Sequence, residues 1–545
     1  MNKKLIRTIH AGVATAMVVA TCYSCSDTWD DHYDANAGGV SDVSLYQQLS
    51  TTDSLSDFCE VVKATGYDEV LNKEQIYTVF APVNGSFDKA ALMAQIEVGG
   101  KETVIRQFIK NHITRYNYSI SEGNNKELMM LNDKKLAIKG AFVDGKLVSS
   151  RNNLCKNGIL HVVHAELPFR PNIYEQLESD TDLSDMYQFL LSYEEDSLDE
   201  ARSVYRGVDE NGNRIYVDSV MIANNKVMNM LDAIINNEDS SYWAIGITNE
   251  AYRKRYEQTK SLFNLHSSIV GRDSLQELYA NIYTMRDCYF NMNANIHYTD
   301  SLMSSTYSKF TPEQNVYYNP FAENGVLANP AEIVECSNGR LYKYDEIPFS
   351  IYESFFTKVK VEPEFVRNIN TDEQYLKTCT YSPITWTFED GSSRMFLDVV
   401  PTTTSANPTI PFKVNSVLSG TYDIYVVMAS SIYGTSDRLT EAGEAKPCQF
   451  KANLFIKDAN GNFPKSRTYA CGGGKNYNND VNNDIDTVFI DTYTFPETFF
   501  GESEAGIMFQ LQSYVSSPQR KTYSRELVIE SIIFKPHKDE VIDEE

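Results

Sequence analysis

Carboxylate and amide side chains crowd one loop near the C-terminus of this chain. The stretch CGGGKNYNNDVNNDID, residues 471–486, contains Asp480, Asp484 and Asp486 with Asn side chains between them. Hard oxygen ligands at short spacing are what Ca²⁺ requires, although the order lacks the central Gly and closing Glu of an EF-hand. The loop is therefore either a calcium candidate or a solvated loop, and in the second case no cofactor is expected.

The histidines offer limited chemistry. His112 lies in an apolar and basic helical stretch, VIRQFIKNHITRY, and is either a structural residue or a binding candidate, since the sequence shows no partner for it. His161 and His164 are three positions apart on a predicted strand. Strand alternation puts them on opposite faces, so they cannot form a paired metal site.

Catalytic sequence patterns are missing from the chain. It contains no HExxH, no GxxxxGK followed by Ser or Thr, and no GxSxG, which mark zinc proteases, phosphate-binding loops and nucleophile elbows. The chain has 74 acidic residues, so some pair of carboxylates could always be proposed for glycoside cleavage. Such a pair is therefore no evidence of catalysis. The sequence therefore predicts that the protein is not an enzyme.

Aromatic side chains supply recognition chemistry instead. The chain has 35 Tyr and 27 Phe residues, and flat rings stack on sugar faces while hydroxyls fix orientation. Tyr425 and Tyr433, in and just after the strand SGTYDIYVVMA, are the binding candidates. Alternation predicts that Tyr422 is a core residue, whereas Tyr425 shares the other face with Asp423, which leaves both exposure and burial open.

Composition excludes one class of partner and indicates several domains. The 49 basic and 74 acidic side chains give a formal net charge of -25, which repels phosphate backbones and argues against nucleic-acid binding. A chain of 545 residues is too long for one hydrophobic core.

The N-terminus has the features of a bacterial export signal. A basic start, MNKKLIR, precedes the apolar stretch AGVATAMVVAT, which is too short to span a bilayer of about 30 Å as a helix. The following CYSCSD places small Ser24 before Cys25, which resembles a lipoprotein cleavage site. We expect residues 1–24 to be the signal peptide and Cys25 to carry the lipid. Cys22 is the less suitable position, and plain secretion is the alternative.

Residues 25–43 predict a solvated tether, because they are acidic, contain Gly and Asn, and lack an apolar period. An acidic run after the lipidated Cys also resembles the signal that directs lipoproteins of the Bacteroidetes type to the outer face of the outer membrane. The expected location is therefore the outer membrane, facing outward, with membrane attachment through the lipid anchor only.

Three blocks of the sequence occur twice, in the same order. The pairs are SLYQQLSTTDSLSDF with NIYEQLESDTDLSDM, YTVFAPVNGSF with YWAIGITNEAY, and NGILHVVHAELPF with NGRLYKYDEIPF. Chance similarity is not expected to keep three blocks in order, so the sequence predicts one unit used twice. The spacing between the blocks grows in the second copy, which predicts insertions there.

Each block predicts local structure of a mixed α and β kind. Apolar residues at helical spacing in the first block predict short amphipathic helices. The run YTVFAP predicts a buried strand that stops at Pro82, and Asn84 or Ser86 is expected to cap the next helix. In the third block, NG supplies a tight turn before a strand.

These blocks resemble the two signature stretches of the fasciclin domain, which has an α+β fold. Residues 44–170 match both stretches, at Asn84, Phe87, Asn157, Gly158, His161 and Pro168. Residues 171–355 are then a divergent second copy with insertions. The resemblance implies an adhesion or binding module.

One part of the family pattern differs here. In fasciclin domains that bind integrin-like partners, the region of a Tyr-His pair is implicated, and this chain has Asn111 and His112 in that place. In the second copy, LQELYANIYTMRD is expected to take the same position, and it lacks the His. The resemblance therefore implies a weaker case for that route of adhesion.

Residues 360–540 have a different spacing of turn residues. Alternating or apolar runs such as CQFKANLFIKDANGN and RELVIESIIFKP are separated by Gly, Asn and Pro turns without intervening helices. This spacing predicts an all-β antiparallel sandwich, and SGTYDIYVVMA resembles strands of jelly-roll carbohydrate-binding modules. The predicted fold class is two α+β fasciclin-like modules followed by a jelly-roll-like sandwich.

Together these features predict a non-catalytic cell-surface lipoprotein that binds an extracellular ligand, with a glycan as the favoured partner, or that mediates adhesion. The alternative is an envelope assembly component that binds another envelope or matrix protein. A polysaccharide-active enzyme is the third hypothesis. It would require a deep cleft holding two carboxylates with perturbed pKa values.

Overall fold

The computed structural model describes four stretches of the chain, which are residues 42–307, 314–372, 376–499 and 506–538. The N-terminal region mixes helices with sheets and the C-terminal region is mostly antiparallel strands, so the fold is α+β followed by a β-sandwich. Within these stretches no helix is both long and apolar enough to cross a membrane. The predicted signal peptide, Cys25 and most of the predicted tether lie outside the described residues.

The chain divides into two compact units, and the division does not follow the sequence order. The first unit ends at Pro171 but also includes the later segment Asp196–Asn224. The second unit holds Asn172–Glu195 and the described residues from Asn225 onward. A segment inserted in the predicted second copy therefore belongs to the unit of the first copy.

The first unit is built from short helices around one sheet. The helices are α1 (Leu45–Ser50), α2 (Ser56–Ala64), α3 (Asp68–Leu71), α4 (Lys89–Glu97) and α5 (Lys101–Val104). The strands are β1 (Tyr77–Pro82), β2 (Ile113–Arg115), β3 (Asn125–Met129), β4 (Lys135–Lys139), β5 (Phe142–Val143), β6 (Lys146–Cys155) and β7 (Gly158–Val163). They form a sheet in the order β2-β1-β7-β6-β5-β4-β3, in which β1 and β7 are parallel and all other pairs are antiparallel.

The predicted helix cap after β1 is wrong. Asp88, and neither Asn84 nor Ser86, caps α4, because its side chain accepts the N–H of Ala91 at 3.0 Å. The Asn84 side chain instead accepts the N–H of Asp57 at 2.9 Å and donates to the carbonyl oxygen of Asp53 at 2.8 Å. The helix begins five residues beyond Asn84, so this side chain serves the start of α2 rather than α4.

The inserted segment forms an arm of two nested strand pairs. These are β8 (Glu194–Leu198) with β11 (Met221–Asn225), and β9 (Val204–Val208) with β10 (Arg214–Asp218). Asp218 accepts the Tyr67 hydroxyl at 3.1 Å and pairs with Lys110 at 2.8 Å, and Arg202 pairs with Asp133 at 2.9 Å. These contacts fasten the arm to the first copy.

The second unit begins with a sheet of the same kind. The helices are α6 (Ile173–Ser179), α7 (Ser184–Leu191), α8 (Lys226–Leu231), α9 (Asn249–Leu262), α10 (Arg272–Met285) and α11 (Ile351–Ser354). The strands are β12 (Tyr242–Ile247), β13 (Tyr289–Asn291), β14 (Ser301–Met303), β15 (Val316–Tyr318), β16 (Glu332–Cys336) and β17 (Gly339–Tyr344). Four of them form a sheet in the order β13-β12-β17-β16, in which β12 and β17 are parallel.

The central strands of the two sheets have the same register. Tyr77 lies opposite Gly158 in the first sheet, and Tyr242 lies opposite Gly339 in the second. On the other side, Val79 pairs with Ile113 and Ala244 pairs with Tyr289. Tyr289 is therefore equivalent to Ile113, and the residue before it, Cys288, is equivalent to His112.

This register corrects the predicted alignment of the central helix. The stretch LQELYANIYTMRD does form most of α10, but the residues equivalent to VIRQFIKNHITRY begin five positions later than expected. The second copy lacks the His, as predicted, and has a buried Cys in its place. The insertion before α10 hid this shift, because no local signal marks where the extra residues end.

A buried asparagine at the same position joins the helices and the sheet in each copy. Asn157 Oδ1 accepts the N–H of Leu45 at 2.8 Å, and its Nδ2 donates to the carbonyl oxygens of Leu71 at 2.8 Å and Lys73 at 2.7 Å. Asn338 makes the equivalent three bonds. Its Oδ1 accepts the N–H of Ile173 at 2.9 Å, and its Nδ2 donates to the carbonyl oxygens of Ile235 at 2.8 Å and Asn237 at 3.2 Å. One side chain thus satisfies three main-chain groups from two separate segments.

The glycine after each of these asparagines is required by close packing. Gly158 has φ +154, and a Cβ there would lie 1.9 Å from the carbonyl oxygen of Tyr77. Gly339 has φ +141, and a Cβ would lie 2.0 Å from the carbonyl oxygen of Tyr242. The NG dipeptide therefore combines a buried hydrogen-bonding side chain with a position that accepts no side chain.

The remaining strands form two antiparallel sheets. These strands are β18 (Val359–Val361), β19 (Cys379–Thr387), β20 (Ser393–Pro401), β21 (Thr409–Val414), β22 (Gly420–Ala429), β23 (Gln449–Ile456), β24 (Thr468–Ala470), β25 (Tyr477–Asn478), β26 (Ile485–Phe495), β27 (Ile507–Ser513) and β28 (Leu527–Pro536). One sheet has the order β19-β20-β28-β22-β26, with β18 also on β28, and the other has the order β21-β27-β23-β24, with β25 also on β23.

The two sheets enclose one apolar core. Phe509 of β27 and Phe534 of β28 meet across it with ring centroids 5.8 Å apart. Tyr422 is buried on the inner face of β22, as the alternation predicts. Leu262 and Phe263 at the end of α9 belong to the same core, so the second copy and the sandwich pack as one body.

We expect the two asparagines to act locally and equally. Asn157→Ala leaves three main-chain groups without partners, which should lower the free energy of opening of β1 and β7 by about 3 kcal/mol. Hydrogen exchange of the full chain, followed by mass spectrometry, measures this directly. Asn338→Ala is the matched control and should accelerate exchange in β12 and β17 only. Faster exchange in both copies from either single variant would contradict this assignment.

Candidate functional site

Aromatic rings and polar groups line a depression at the end of the hairpin formed by β19 and β20. Its volume is about 690 Å³. Trp386 is 41% exposed, and the half-buried Phe388 lies beside it. The polar lining comes from Thr387, Glu389, Asp390, Ser392, Arg394 and Asp484. We call Trp386, Phe388 and Tyr433 the ring platform.

A tight turn positions the ring platform. Gly391 has φ +83, and the N–H of Phe388 donates to the carbonyl oxygen of Ser392 at 2.8 Å. Trp386 lies directly opposite Arg394 across the hairpin. The Asp390 carboxylate accepts the Ser392 N–H at 2.9 Å and its hydroxyl at 2.6 Å. The bond from the Ser392 side chain holds the pKa of Asp390 below its usual range.

Tyr433 packs against the other two rings of the platform. Its ring centroid lies 4.8 Å from that of Trp386 and 5.7 Å from that of Phe388. Its hydroxyl donates to the Asp484 carboxylate, and burial followed by this contact raises the pKa of Tyr433 to about 12. Because Tyr433 is only 7% exposed, it holds Trp386 in place more than it offers a surface of its own.

Two buried carboxyl groups fix the loop that carries Tyr433. Glu526 accepts the N–H groups of Thr435 at 2.5 Å and Ser436 at 2.9 Å, and Asp398 accepts the Thr435 hydroxyl at 2.5 Å. Both carboxyl groups are fully buried. Burial, and then the neighbouring Asp398 carboxyl, raise the pKa of Glu526 to about 7.

The predicted calcium residues serve the loop that borders this site. Asp484 is part of the lining of the depression. Asp486 accepts the N–H of Asp480 at 2.7 Å, and Asp480 accepts the N–H of Asn482 at 2.9 Å. Across the four described stretches, no group of three or more His, Cys, Asp and Glu side chains is arranged to hold a metal ion. The calcium hypothesis stays a prediction.

His112 and His161 of the first copy are fully buried. His112 Nδ1 donates to the carbonyl oxygen of Phe108 at 2.8 Å, and its Nε2 accepts the N–H of Leu167 at 2.9 Å. His161 Nδ1 accepts the N–H of Asn152 at 3.1 Å. Burial lowers the pKa of each to about 4. Neither nitrogen of His112 is therefore available to a ligand.

Tyr425 lies in a second, smaller ring pair. It is half-buried on the outer face of β22, and its ring centroid is 5.5 Å from that of Phe489, which is 47% exposed. Tyr425 and Tyr433 were candidates from the sequence, whereas Trp386 and Phe388 were not predicted. The available signal was ITWTFEDGSS, in which Asp-Gly between alternating runs marks a hairpin turn with aromatic residues beside it.

Comparison with known families identifies the first copy. Residues 53–167 match the fasciclin domain, so this part of the chain is a fasciclin domain and supplies an adhesion or binding module. The match covers a minor part of the chain. No curated protein matches it.

Solved structures with similarity to the chain include adhesion and polysaccharide-degrading proteins. One is a FAS1 domain pair from the insect cell adhesion molecule Fasciclin I, with 12% identity, a TM-score of 0.20, and coverage of 55% of this chain and 98% of that chain. A Paenibacillus xanthan lyase has 12% identity and a TM-score of 0.20, over 44% of this chain and 20% of that one. An exo-β-agarase has 13% identity and a TM-score of 0.19, over 33% of this chain and 25% of that one.

The buried carboxyl pair predicts a specific pH dependence. The folded pKa of Glu526 lies above its ordinary value of 4.5, so its contribution to stability is complete below about pH 4.5 and is lost as the pH rises through about 7. One pKa unit corresponds to about 1.4 kcal/mol, which makes the loss on the order of 3 kcal/mol. Asp398→Asn removes the neighbouring acid and should reduce this loss.

Guanidinium unfolding of the full chain at pH 5 and pH 8 measures the difference. We expect the wild type to lose more stability between the two pH values than Asp398→Asn. Asn can still accept the Thr435 hydroxyl, so the variant should fold. An equal loss in both proteins would show that the pair is not the source.

Proposed function

We propose that this protein is a non-catalytic, lipid-anchored protein of the cell surface that binds an extracellular glycan on the ring platform. The observation that carries the proposal is Trp386, a large ring that is 41% exposed and is held by Tyr433 rather than left free to collapse. A rigid exposed ring stacks on the apolar face of a sugar at low entropic cost.

Polar groups around the platform support recognition of hydroxyl-rich ligands. Asp390 and Arg394 lie on the hairpin that carries Trp386, and Asp484 also lines the depression. Carboxylate and guanidinium groups are directional partners for sugar hydroxyls. The combination of one apolar ring with several fixed polar groups is typical of small-ligand sites.

The electrostatics of the depression favour binding over hydrolysis. A general acid for glycoside cleavage needs a raised pKa. Asp390, in the lining, has a lowered pKa and stays ionised. Glu526, whose pKa is raised to about 7, is fully buried beneath the loop, and its oxygens accept main-chain N–H groups.

The two fasciclin-like copies and the lipid anchor would present the ring platform at the cell surface. The shared register and the equivalent asparagine contacts support a second, divergent fasciclin fold over residues 171–355, and residues 360–540 then form the sandwich domain. The export signal and Ser24 before Cys25 support lipid attachment at Cys25. The acidic run that follows supports the outward face of the outer membrane.

A protein partner is the second candidate, because the arm of the first unit exposes apolar side chains. Tyr205 is 52% exposed, Val208 59%, Met221 48% and Ile222 42%. Clustered exposed apolar residues mark protein contacts. Under this alternative, Val208→Asp with Ile222→Asp should abolish cross-linking of the protein to one envelope protein on intact cells, while Trp386→Ala leaves it unchanged.

We expect Trp386→Ala to lower glycan affinity about tenfold, because it removes roughly 1.4 kcal/mol of ring stacking. The test uses residues 26–545 without lipid, a glycan array to choose the ligand, and calorimetry of each variant. Phe489→Ala is the matched control, since Phe489 is an equally exposed ring of the same domain and should leave affinity unchanged.

The reverse result would assign glycan recognition to a different part of the sandwich. Loss of binding in Phe489→Ala with normal binding in Trp386→Ala would assign recognition to the ring pair of Tyr425 and Phe489. If the wild type binds no glycan, the protein-partner candidate takes precedence.

The lipid anchor makes a separate prediction. In cells with an outer membrane, the wild-type precursor should incorporate labelled palmitate and partition into detergent, and Cys25→Ala should lose both properties. Cys22→Ala is the control and should keep them. Labelling that survives in Cys25→Ala and disappears in Cys22→Ala would place the lipid at the other cysteine.

A further inference from the structure

A second cleft, at the opposite end of β22 from the ring platform, concentrates positive charge. Tyr422, at the start of that strand, lines it, whereas the platform lies beyond Ala429 at the strand end. At about 3.3 Å per residue the two sites are roughly 20–25 Å apart. The cleft has a volume of about 300 Å³, and its charged lining consists of Arg286, Lys358, Lys360, Arg367, Lys413 and Glu362.

This charge is opposite to that of the protein as a whole. Five cationic side chains face one carboxylate in the cleft, although the chain carries a net charge of -25. Lys360 is shared with Glu530 at 3.5 Å and Glu362 at 3.9 Å. For Lys358, Arg367 and Lys413, no carboxylate of the described stretches lies within ion-pair distance. Arg367 lies 5.0 Å from the centroid of the Phe365 ring. Like charges gathered in one cleft repel one another, and an anion would offset this repulsion.

Arg286 is the buried member of the group. It is only 4% exposed, and its Nε has no hydrogen-bond acceptor among the described residues. Asp287 Oδ1 lies 3.8 Å from that nitrogen, beyond hydrogen-bonding distance. The other oxygen of Asp287 is used by Asn315, Tyr317 and Ser354 at 2.7, 3.0 and 2.6 Å. A buried N–H group without an acceptor is costly. Arg286 also lines the cleft, so an anion bound there would add a charged partner for its guanidinium.

The rim of the cleft adds neutral polar groups and one strained residue. Asn415 and Ser416 both line it, and Ser416 has φ 63. A non-glycine residue in this left-handed region costs energy and occurs more often at ligand sites than elsewhere. The volume, at the lower end of the range for small-molecule pockets, exceeds the needs of a bare ion. It matches a sugar-sized group that carries a charge.

We propose that this cleft binds the carboxylate of an acidic saccharide, such as a uronic acid unit. The inference rests on the proposed glycan-binding function and names the class of glycan. Arg286 contacts the carboxylate from the floor of the cleft, and Arg367 and Lys413 approach it from the rim. Guanidinium and ammonium groups form charge-assisted hydrogen bonds with carboxylates, which are stronger than neutral ones.

Calorimetry with tetragalacturonate tests the proposal on residues 26–545 at low salt. The double variant Arg367→Gln with Lys413→Gln should bind about tenfold more weakly. These side chains are at the rim, so folding should not depend on them. Lys465→Gln is the control, since Lys465 is exposed in the same domain and outside the cleft. It should bind like the wild type.

Three comparisons separate the possible results. The methyl ester of tetragalacturonate, which keeps the shape and loses the charge, should not bind to the cleft. Tetragalacturonate that binds no more tightly than inorganic sulfate would indicate an adventitious ion only and would overturn the proposal. Equal binding of the double variant and the wild type would also overturn it.

The outcome is independent of the ring platform. Neutral glycan binding that depends on Trp386, together with no cleft-dependent binding of tetragalacturonate, would leave the proposed function standing and remove this inference. Binding of tetragalacturonate that depends on Arg367 and Lys413 but not on Trp386 would support the cleft and would leave the platform to its own test with Trp386→Ala.

Discussion

The rest of the structure depends on one buried side chain, the asparagine that begins the third repeated block. In each copy it ties the first helix and a distant loop to the central parallel strands, through three hydrogen bonds to main-chain groups. The following glycine lets the neighbouring strand approach to a distance that no side chain would allow. Because both residues act on the main chain, the surrounding side chains could diverge while the frame stayed the same.

This frame connects the second copy to the sandwich. Leu262 and Phe263, at the end of α9, are part of the core between the two sandwich sheets. The sandwich therefore packs directly on the second copy. Strand β22 then runs from this junction to the ring platform. The two candidate sites thus lie at opposite ends of one strand whose inner face is buried. A packed strand is a more precise support for a site than a loop.

Much of the fold could be predicted from the sequence, because its signals are local. Turns and strands could be predicted from patterns that the local main chain requires. These patterns are the two NG pairs, the aromatic strand runs and the strand spacing after residue 360. Other features depend on contacts that are distant in sequence. The docking of the arm through Asp218, the position of Cys288 and the cap at Asp88 were not predictable. Trp386 was not predicted because its exposure follows from its packing on Tyr433, which is distant in sequence.

The most direct test of this account is hydrogen exchange of residues 26–545 with and without a glycan selected on an array. We expect slower exchange in the hairpin of β19 and β20 and in the loop that carries Tyr433, with no change in residues 44–170. Protection confined to residues 44–170 would contradict it, because recognition would then belong to the fasciclin domain rather than to the sandwich.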